Sequence, residues 1–214
     1  MSLPAAVPDQ SDPPPRARGR PRQFDIGQAV ARAENLFRSR GYDRVTLNDL
    51  NRAIGINPPS FYAAFGSKAL LFKRIADTYL AGWLGDIRAA FDEAPSLREA
   101  LRRVVVDAAR RFAWRESEGG AWGGCLLLEA ANNCSDALVV AHIRKARLTV
   151  AASLYRGISR EAPEQVVTLT DHVMLLLVGV SAMARDGVAE ERLVPLAEQA
   201  ARALAVHASS PSSG

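Results

Sequence analysis

Apolar residues recur at intervals of three and four along most of the chain, which predicts an all-α protein. No stretch keeps the two-residue alternation of a half-buried strand, so we expect no sheet. Glycine, proline and asparagine interrupt the pattern and divide it into about nine helices. The predicted helices cover residues 26–39, 47–54, 58–64, 67–91, 97–115, 121–132, 136–160, 164–185 and 189–207.

The second and third of these helices are short and are joined by a tight turn. Thr46 and Asp49 have the spacing of a capping box, which predicts that a helix begins at Leu47. Gly55 can take the positive φ that ends this helix. Asn57 is a good N-cap for the next one, and a proline follows it at the first helical position. Two helices joined in this way form a helix-turn-helix, whose second helix can enter the DNA major groove.

The residues around this turn resemble the N-terminal domain of the TetR/AcrR family of transcriptional regulators. The resemblance covers about residues 24–75 and departs from the usual pattern at Asn51, Ile54 and Ala64. It implies an N-terminal three-helix DNA-binding domain followed by a helical ligand-binding and dimerisation domain. The positions that carry it are Thr46, Leu50, Gly55, Ile56, Phe61, Tyr62, Phe65, Lys68 and Leu71.

The expected domains follow from this division. Residues 1–22 form a disordered basic arm, 23–75 the helix-turn-helix domain, 76–207 the effector-binding and dimerisation domain, and 208–214 a disordered tail. The net charge of +4 is unevenly distributed, with +6 over residues 1–75 and −2 over the rest. A positive excess on the helix-turn-helix half favours binding to phosphates, although a solvated basic face is the alternative.

The resemblance assigns DNA contacts to individual positions. It places Asn57, Pro58, Pro59, Ser60 and Ala63 at the base-reading side of the second motif helix. It gives phosphate contacts to Thr46, Tyr62 and Lys68. Arg44 and Arg52 are candidate backbone contacts, with plain surface solvation equally open.

The arm before the first helix reads Arg-Gly-Arg-Pro-Arg and resembles an AT-hook. Arg18, Arg20 and Arg22 are therefore expected in the narrow minor groove of A·T-rich DNA, where arginine is drawn by the negative potential. A solubilising basic tail is the alternative.

The last two predicted helices favour a homodimer, because 164–185 is apolar nearly all round and requires burial on several sides. The resemblance implies a four-helix bundle from two subunits that reads a palindromic operator. A monomeric core helix is the alternative. The expected interface residues are Val166, Leu169, Val173, Leu177, Val180, Leu193, Leu196, Ala200 and Leu204.

The middle helices are expected to enclose a chamber for a largely apolar small-molecule effector. Binding there would shift the helix that begins near Lys68, so that the two recognition helices no longer match the half-site spacing. Simple core packing is the alternative for every residue of this set. The expected lining is Trp83, Phe91, Phe112, Trp114, Trp122, Leu126, His142 and Met174, with Arg110 and Glu129 as further polar candidates.

Other classes of function find little support. The chain has three histidines and no glycine-rich phosphate loop, GxSxG elbow or metal-spaced cluster, so we expect no enzyme, cofactor or metal. Cys125 and Cys134 suit a reducing cytoplasm, and a thiol sensor remains open. We expect no signal peptide and no apolar run as long as a membrane span. An architectural DNA-binding protein without an effector is the second functional hypothesis.

Overall fold

A computed structural model of the protein describes residues 25–113, 123–129 and 134–208, with the backbone alone for 205–208. Five of the residues with predicted roles lie outside these ranges, namely Arg18, Arg20, Arg22, Trp114 and Trp122.

Nine α-helices and one 3₁₀ turn make up the described part of the chain, and no strand occurs within it, so the all-α prediction is confirmed. Most predicted ends fall within a few residues of the observed ones. The exception is the predicted helix 121–132, of which the described part retains four helical residues. The helices are α1 Ile26–Arg40, α2 Leu47–Ile54, α3 Pro58–Phe65, α4 Lys68–Glu93, α5 Leu97–Ala113, α6 Leu126–Glu129, α7 Ala137–Ile158, α8 Val166–Arg185 and α9 Glu190–Ala208, with the 3₁₀ turn at Pro163–Gln165.

The first three helices share one small core with the start of α4. Helices of eight residues such as α2 and α3 are not stable alone, so packing must hold them. Helix α2 packs against α1, and α3 packs against α2 and the start of α4. The side chains that form this core are Ala29, Ala33, Phe37, Leu50, Ile54, Phe61, Phe65, Leu71 and Phe72.

Helix α4 belongs to both halves of the chain. Its 26 residues span about 39 Å at 1.5 Å per residue. Leu71 and Phe72 pack against the first three helices, whereas Trp83 and Ile87 are buried among the later ones. The predicted domain boundary at residues 75/76 therefore falls inside a continuous helix, and α4 joins the two halves without a linker.

Helix α5 lies at the centre of the larger half, packed by α4, α8 and α9, while α7 covers α4 and α8. Ten of its seventeen residues are buried. This surrounds α5 with helices and leaves the outer faces of α7, α8 and α9 on the surface.

The 23-residue stretch Pro163–Arg185 is long and apolar enough to span a membrane by length and composition alone, since an 18-residue window within it has a mean hydropathy of 1.8. The expectation that no apolar run would be this long is therefore wrong. The physical reason is that α8 is apolar on two faces. One face is buried in the core through residues such as Val173 and Leu177, and the other exposes Val167, Leu175 and Val178.

Candidate nucleic-acid interface

The turn between α2 and α3 is set by one glycine. Gly55 has φ of 81° in the left-handed region, and its N–H and that of Ile56 both donate to the carbonyl oxygen of Asn51, at 2.9 and 3.1 Å. These bonds satisfy the end of α2 and reverse the chain so that α3 begins three residues later. The predicted helix-turn-helix geometry is present.

The start of α2 carries the predicted capping box. The N–H of Asp49 donates to the Thr46 hydroxyl at 3.1 Å, and the N–H of Thr46 donates to the Asp49 carboxylate at 3.0 Å. The Thr46 hydroxyl also donates its hydrogen to that carboxylate at 2.7 Å, and this bond is the main cause of the lowered pKa of Asp49. In this structure the Thr46 hydroxyl therefore donates its one hydrogen within the capping box, and its predicted phosphate contact stays a prediction.

Helix α3 is oriented by two aromatic rings. Phe61 and Phe65 are buried, which turns the opposite face of the helix to solvent. That outward face carries Pro59, Ser60 and Ala63. Tyr62, at the edge of this face, is 51% exposed. The outward face can therefore offer one hydroxyl and several apolar groups to a DNA groove.

The N-terminal end of α3 is solvent-exposed as well. Asn57 accepts a hydrogen bond from the N–H of Ser60 at 2.9 Å through its side-chain oxygen, which leaves its amide NH₂ group to donate outward. Pro58 occupies the first helical position, where its missing N–H costs little. All three residues are exposed, as a base-reading segment requires.

The side chain of Lys68 makes hydrogen bonds within the protein. Its ammonium donates to the carbonyl oxygens of Tyr42 and Val45, at 3.0 and 2.9 Å, and lies 4.1 Å from the centroid of the Tyr42 ring. Two of its three hydrogens are thus used by the backbone of the loop before α2. The structure gives Lys68 a positioning role, and its third hydrogen leaves the expected phosphate contact a prediction.

The same loop is fastened to the N-terminus of α7. The Tyr42 hydroxyl donates to the Asp136 carboxylate at 3.0 Å, and Ser135 donates to Asp43 through its N–H at 2.9 Å. Burial raises the pKa of Tyr42, and the bond to Asp136 raises it further. Residues 41–45 therefore connect the helix-turn-helix to the larger half at a second place besides α4. No sequence signal pointed to Asp136 or Ser135.

Arg44 and Arg52 are exposed on the helix-turn-helix, as candidate phosphate contacts should be. Asn51, where the resembling family usually has alanine, keeps its side-chain oxygen buried without a hydrogen-bond partner among the described residues. A buried acceptor without a partner is destabilising, so we expect Asn51 to lower the stability of this domain.

Most of the residues predicted at a subunit interface instead lie within the core of one chain. Leu196 is exposed and Ala200 half-buried. The face of α8 that is exposed on the single chain differs from the predicted one, and it carries Val167, Leu175 and Val178. Those buried in the chain's own core are Val166, Leu169, Val173, Leu177, Val180, Leu193 and Leu204.

The predicted effector chamber also needs correction. Trp83 and Phe112 pack edge to face, with ring centroids 5.7 Å apart, and both are fully buried core residues. His142 is bound to Asp77 at 2.7 Å between α4 and α7, and Met174 packs against the core. The described members of this set thus do not line one shared space. Phe91 lines a small cavity against α7, and Leu126 lines a different one at the junction of the two halves.

Comparisons with known proteins agree with this geometry. The family model described as "Bacterial regulatory proteins, tetR family" matches residues 29–75. The HTH-type transcriptional repressor BdcR of Escherichia coli is 36% identical over 195 residues, 88% of this chain and 93% of that protein. The HTH-type transcriptional repressor ComR of the same organism is 28% identical over 188 residues, which are 85% of this chain and 90% of the ComR chain.

A solved structure is similar over nearly its whole length. The TetR family regulator CifR, a cysteine mutant complexed with a 26-base-pair operator DNA, superimposes with a TM-score of 0.76 and 32% identity. The match covers 86% of this chain and 99% of CifR. The fold, the helix-turn-helix and the relatives together show that the chain belongs to the TetR family of DNA-binding transcriptional regulators and is not an enzyme.

Proposed function

We propose that the protein binds a palindromic operator as a homodimer, represses transcription from it, and is released by a small-molecule effector. The observation that carries the proposal is the outward face of α3, where Pro59, Ser60 and Ala63 are exposed beside Tyr62. The names of BdcR and ComR as repressors, and the operator complex of CifR, support it.

The base contacts follow from the chemistry of α3. The Ser60 hydroxyl and the Asn57 amide can hydrogen-bond base edges, whereas Pro58, Pro59 and Ala63 offer apolar contact to thymine methyl groups. These groups provide few hydrogen bonds, so we expect much of the specificity to come from DNA shape and from half-site spacing.

Phosphate contacts fix the protein on the duplex. The Tyr62 hydroxyl and the Arg44 guanidinium are exposed and can each donate to a phosphate oxygen of the DNA backbone. Arg52 is a further cation on the same domain. Arg18, Arg20 and Arg22 would add a minor-groove arm, which strengthens binding and its dependence on salt.

Dimerisation uses the outward face of α8. Leu175 is 69% exposed and Val167 61%, and an apolar face of this kind calls for a covering partner. Gly179 and Ala182 lie on the same side and permit close helix approach. Leu196 extends the surface onto α9, so that a second copy would complete a four-helix bundle. A palindromic operator requires the two α3 helices of such a dimer to lie about 34 Å apart.

An effector acts through the connections between the two halves of the chain. Helix α4 transmits displacement along its length, and the Tyr42–Asp136 bond ties the loop before α2 to α7. A ligand that binds one arrangement better than the other changes the population of the DNA-binding form.

The protein acts in the cytoplasm, where bacterial DNA is located.

Fluorescence anisotropy with duplex DNA from the promoter nearest its gene tests the proposal. We expect binding at least a thousandfold tighter than to a scrambled duplex, with affinity that falls steeply as salt rises. Equal affinity for both duplexes would favour the architectural alternative and contradict an operator-specific repressor.

A further inference from the structure

A cavity of about 710 Å³ lies between the helix-turn-helix and the larger half of the chain. One wall is formed by the end of α1 and the loop after it, residues 37–44, and the opposite wall by residues 123–126, Glu129 and the end of α8. Arg38 donates across the junction to the carbonyl oxygen of Gly124 at 3.0 Å. A ligand in this junction cavity would touch both halves of the protein.

Among the described lining residues, guanidinium groups outnumber carboxylates by four to three. Two of the carboxylates are already occupied, because Ser135 donates to Asp43 and Ser181 donates to Glu129 at 2.9 Å. The charged residues of the lining are Arg38, Arg40, Arg44 and Arg185 against Asp43, Glu129 and Asp186. Arg38 is already paired with Glu34 and the Gly124 carbonyl oxygen, and Arg40 with Asp49, so the guanidiniums to consider are those of Arg44 and Arg185.

Two of these guanidiniums are available to a ligand. Arg44 is exposed, and the described residues provide no hydrogen bond or ion pair for its side chain. Arg185 is 41% exposed, and its contact to Glu129 is 4.0 Å long, beyond hydrogen-bond distance. A planar guanidinium can bind the two oxygens of a carboxylate or phosphate together. Asp186, also in the lining, disfavours a highly charged polyanion.

Three aromatic rings contribute to the lining of the cavity. Phe72 packs edge to face on Phe37 and on Tyr42, with ring centroids 4.9 and 5.1 Å apart. All three rings line the cavity. Such rings suit the apolar body of an organic molecule better than a fully hydrated inorganic ion.

We propose that the junction cavity binds a small organic anion, with its carboxylate or phosphate group held by Arg185 and by Arg44, which then no longer donates to a DNA phosphate, and with its body against the rings. This site differs in place and in chemistry from the apolar chamber expected among the middle helices. Its regulatory consequence rests on the proposed function: a ligand that spans both walls fixes the loop before α2 relative to the larger half and changes operator affinity.

Isothermal titration of the full-length protein at constant ionic strength tests the site. The probes are benzoate, phenyl phosphate and the neutral benzamide, and the variants are Arg185→Ala and, as a control, Arg192→Ala on the exposed side of α9. We expect at least one of the anions to bind, with affinity at least tenfold lower in Arg185→Ala and unchanged in Arg192→Ala. The stronger anion identifies the head group.

Three results would overturn the site: neither anion binds, benzamide binds as tightly as benzoate, or Arg185→Ala binds as well as the wild type. Operator affinity measured with and without the bound anion tests the regulatory part, for which we expect at least a fivefold change and which an unchanged affinity contradicts. Anion binding by a protein that ignores every operator would contradict the proposed function alone. Operator binding without anion binding would contradict this inference alone.

Discussion

The ammonium group of Lys68 lies 2.9 Å from the carbonyl oxygen of Val45 and holds the loop that precedes α2. The same ammonium bonds the carbonyl oxygen of Tyr42 and sits over its ring, while the Tyr42 hydroxyl reaches Asp136 on the other side. The first residue of α4 thus organises the place where the two halves of the protein meet. Lys68 therefore matches a phosphate-contacting lysine of the resembling family in sequence, but in the structure it bonds the backbone of its own chain.

Replacement of this anchor lowers stability. Lys68→Met removes two charge-assisted hydrogen bonds to half-buried carbonyl groups, and we expect the free energy of unfolding to fall by about 2 kcal/mol. Urea denaturation followed by circular dichroism measures this. Lys145→Met, on the exposed side of α7, is the control and changes stability little. Equal stability of the two variants would show that the loop does not depend on Lys68.

The outward hydroxyl of α3 contributes to base recognition. Ser60→Ala leaves the Asn57 cap intact, because the cap uses the backbone N–H of residue 60. We expect operator affinity to fall about fivefold and the preference at one base pair of each half-site to relax, since one hydrogen bond is lost. Competition with single-base operator variants measures both effects.

A phosphate contact behaves differently from a base contact. Tyr62→Phe removes an exposed hydroxyl from the edge of α3, and we expect weaker binding to all duplexes with base preferences unchanged. Competition with the same single-base operator variants measures both the affinity and the base preference. A change of base preference in Tyr62→Phe, or none in Ser60→Ala, would reverse the two roles.

Dimerisation depends on the exposed face of α8. Leu175→Glu puts a charge into the proposed interface, and we expect a monomer by light scattering and a large loss of operator affinity. Leu70→Glu, at a leucine that is 55% exposed on α4, should remain dimeric. A dimeric Leu175→Glu protein would place the interface elsewhere.

Cys125 should be an unreactive thiol at neutral pH. Burial raises its pKa to about 11, so the reactive thiolate is about one part in a thousand at pH 8. We expect iodoacetamide to modify the partly exposed Cys134 first, although burial raises the pKa of that thiol as well. Alkylation of Cys125 should accelerate as pH rises toward 11. Mass spectrometry resolves the two sites, and faster labelling of Cys125 at pH 7.5 would favour the thiol-sensor hypothesis.

Local sequence signals predicted the helix-turn-helix well, because short-range chemistry determines it. The Thr46 capping box, the Gly55 turn and the Asn57 cap each involve residues close together in the chain, and all are present. Contacts between distant residues were not predictable in this way. Nothing near Tyr42 in the sequence indicates that its partner is Asp136, 94 positions away.

The faces of α8 show a second limit of sequence reasoning. A helix that is apolar nearly all round indicates burial on two sides but does not say which side faces the chain's own core. Val173 and Leu177 were expected at the subunit interface and are internal, while Leu175 and Val178 are exposed. The aromatic residues of the middle helices were ambiguous for the same reason, and Trp83 and Phe112 fill the core.

Selection of bound duplexes from a random-sequence pool by the purified full-length protein tests the central claim most directly. We predict enrichment of a palindrome whose half-site centres lie one helical turn apart, as two outward α3 helices require. Recovery of an unenriched pool, or of a single asymmetric site, would contradict the conclusion that paired α3 helices read an operator.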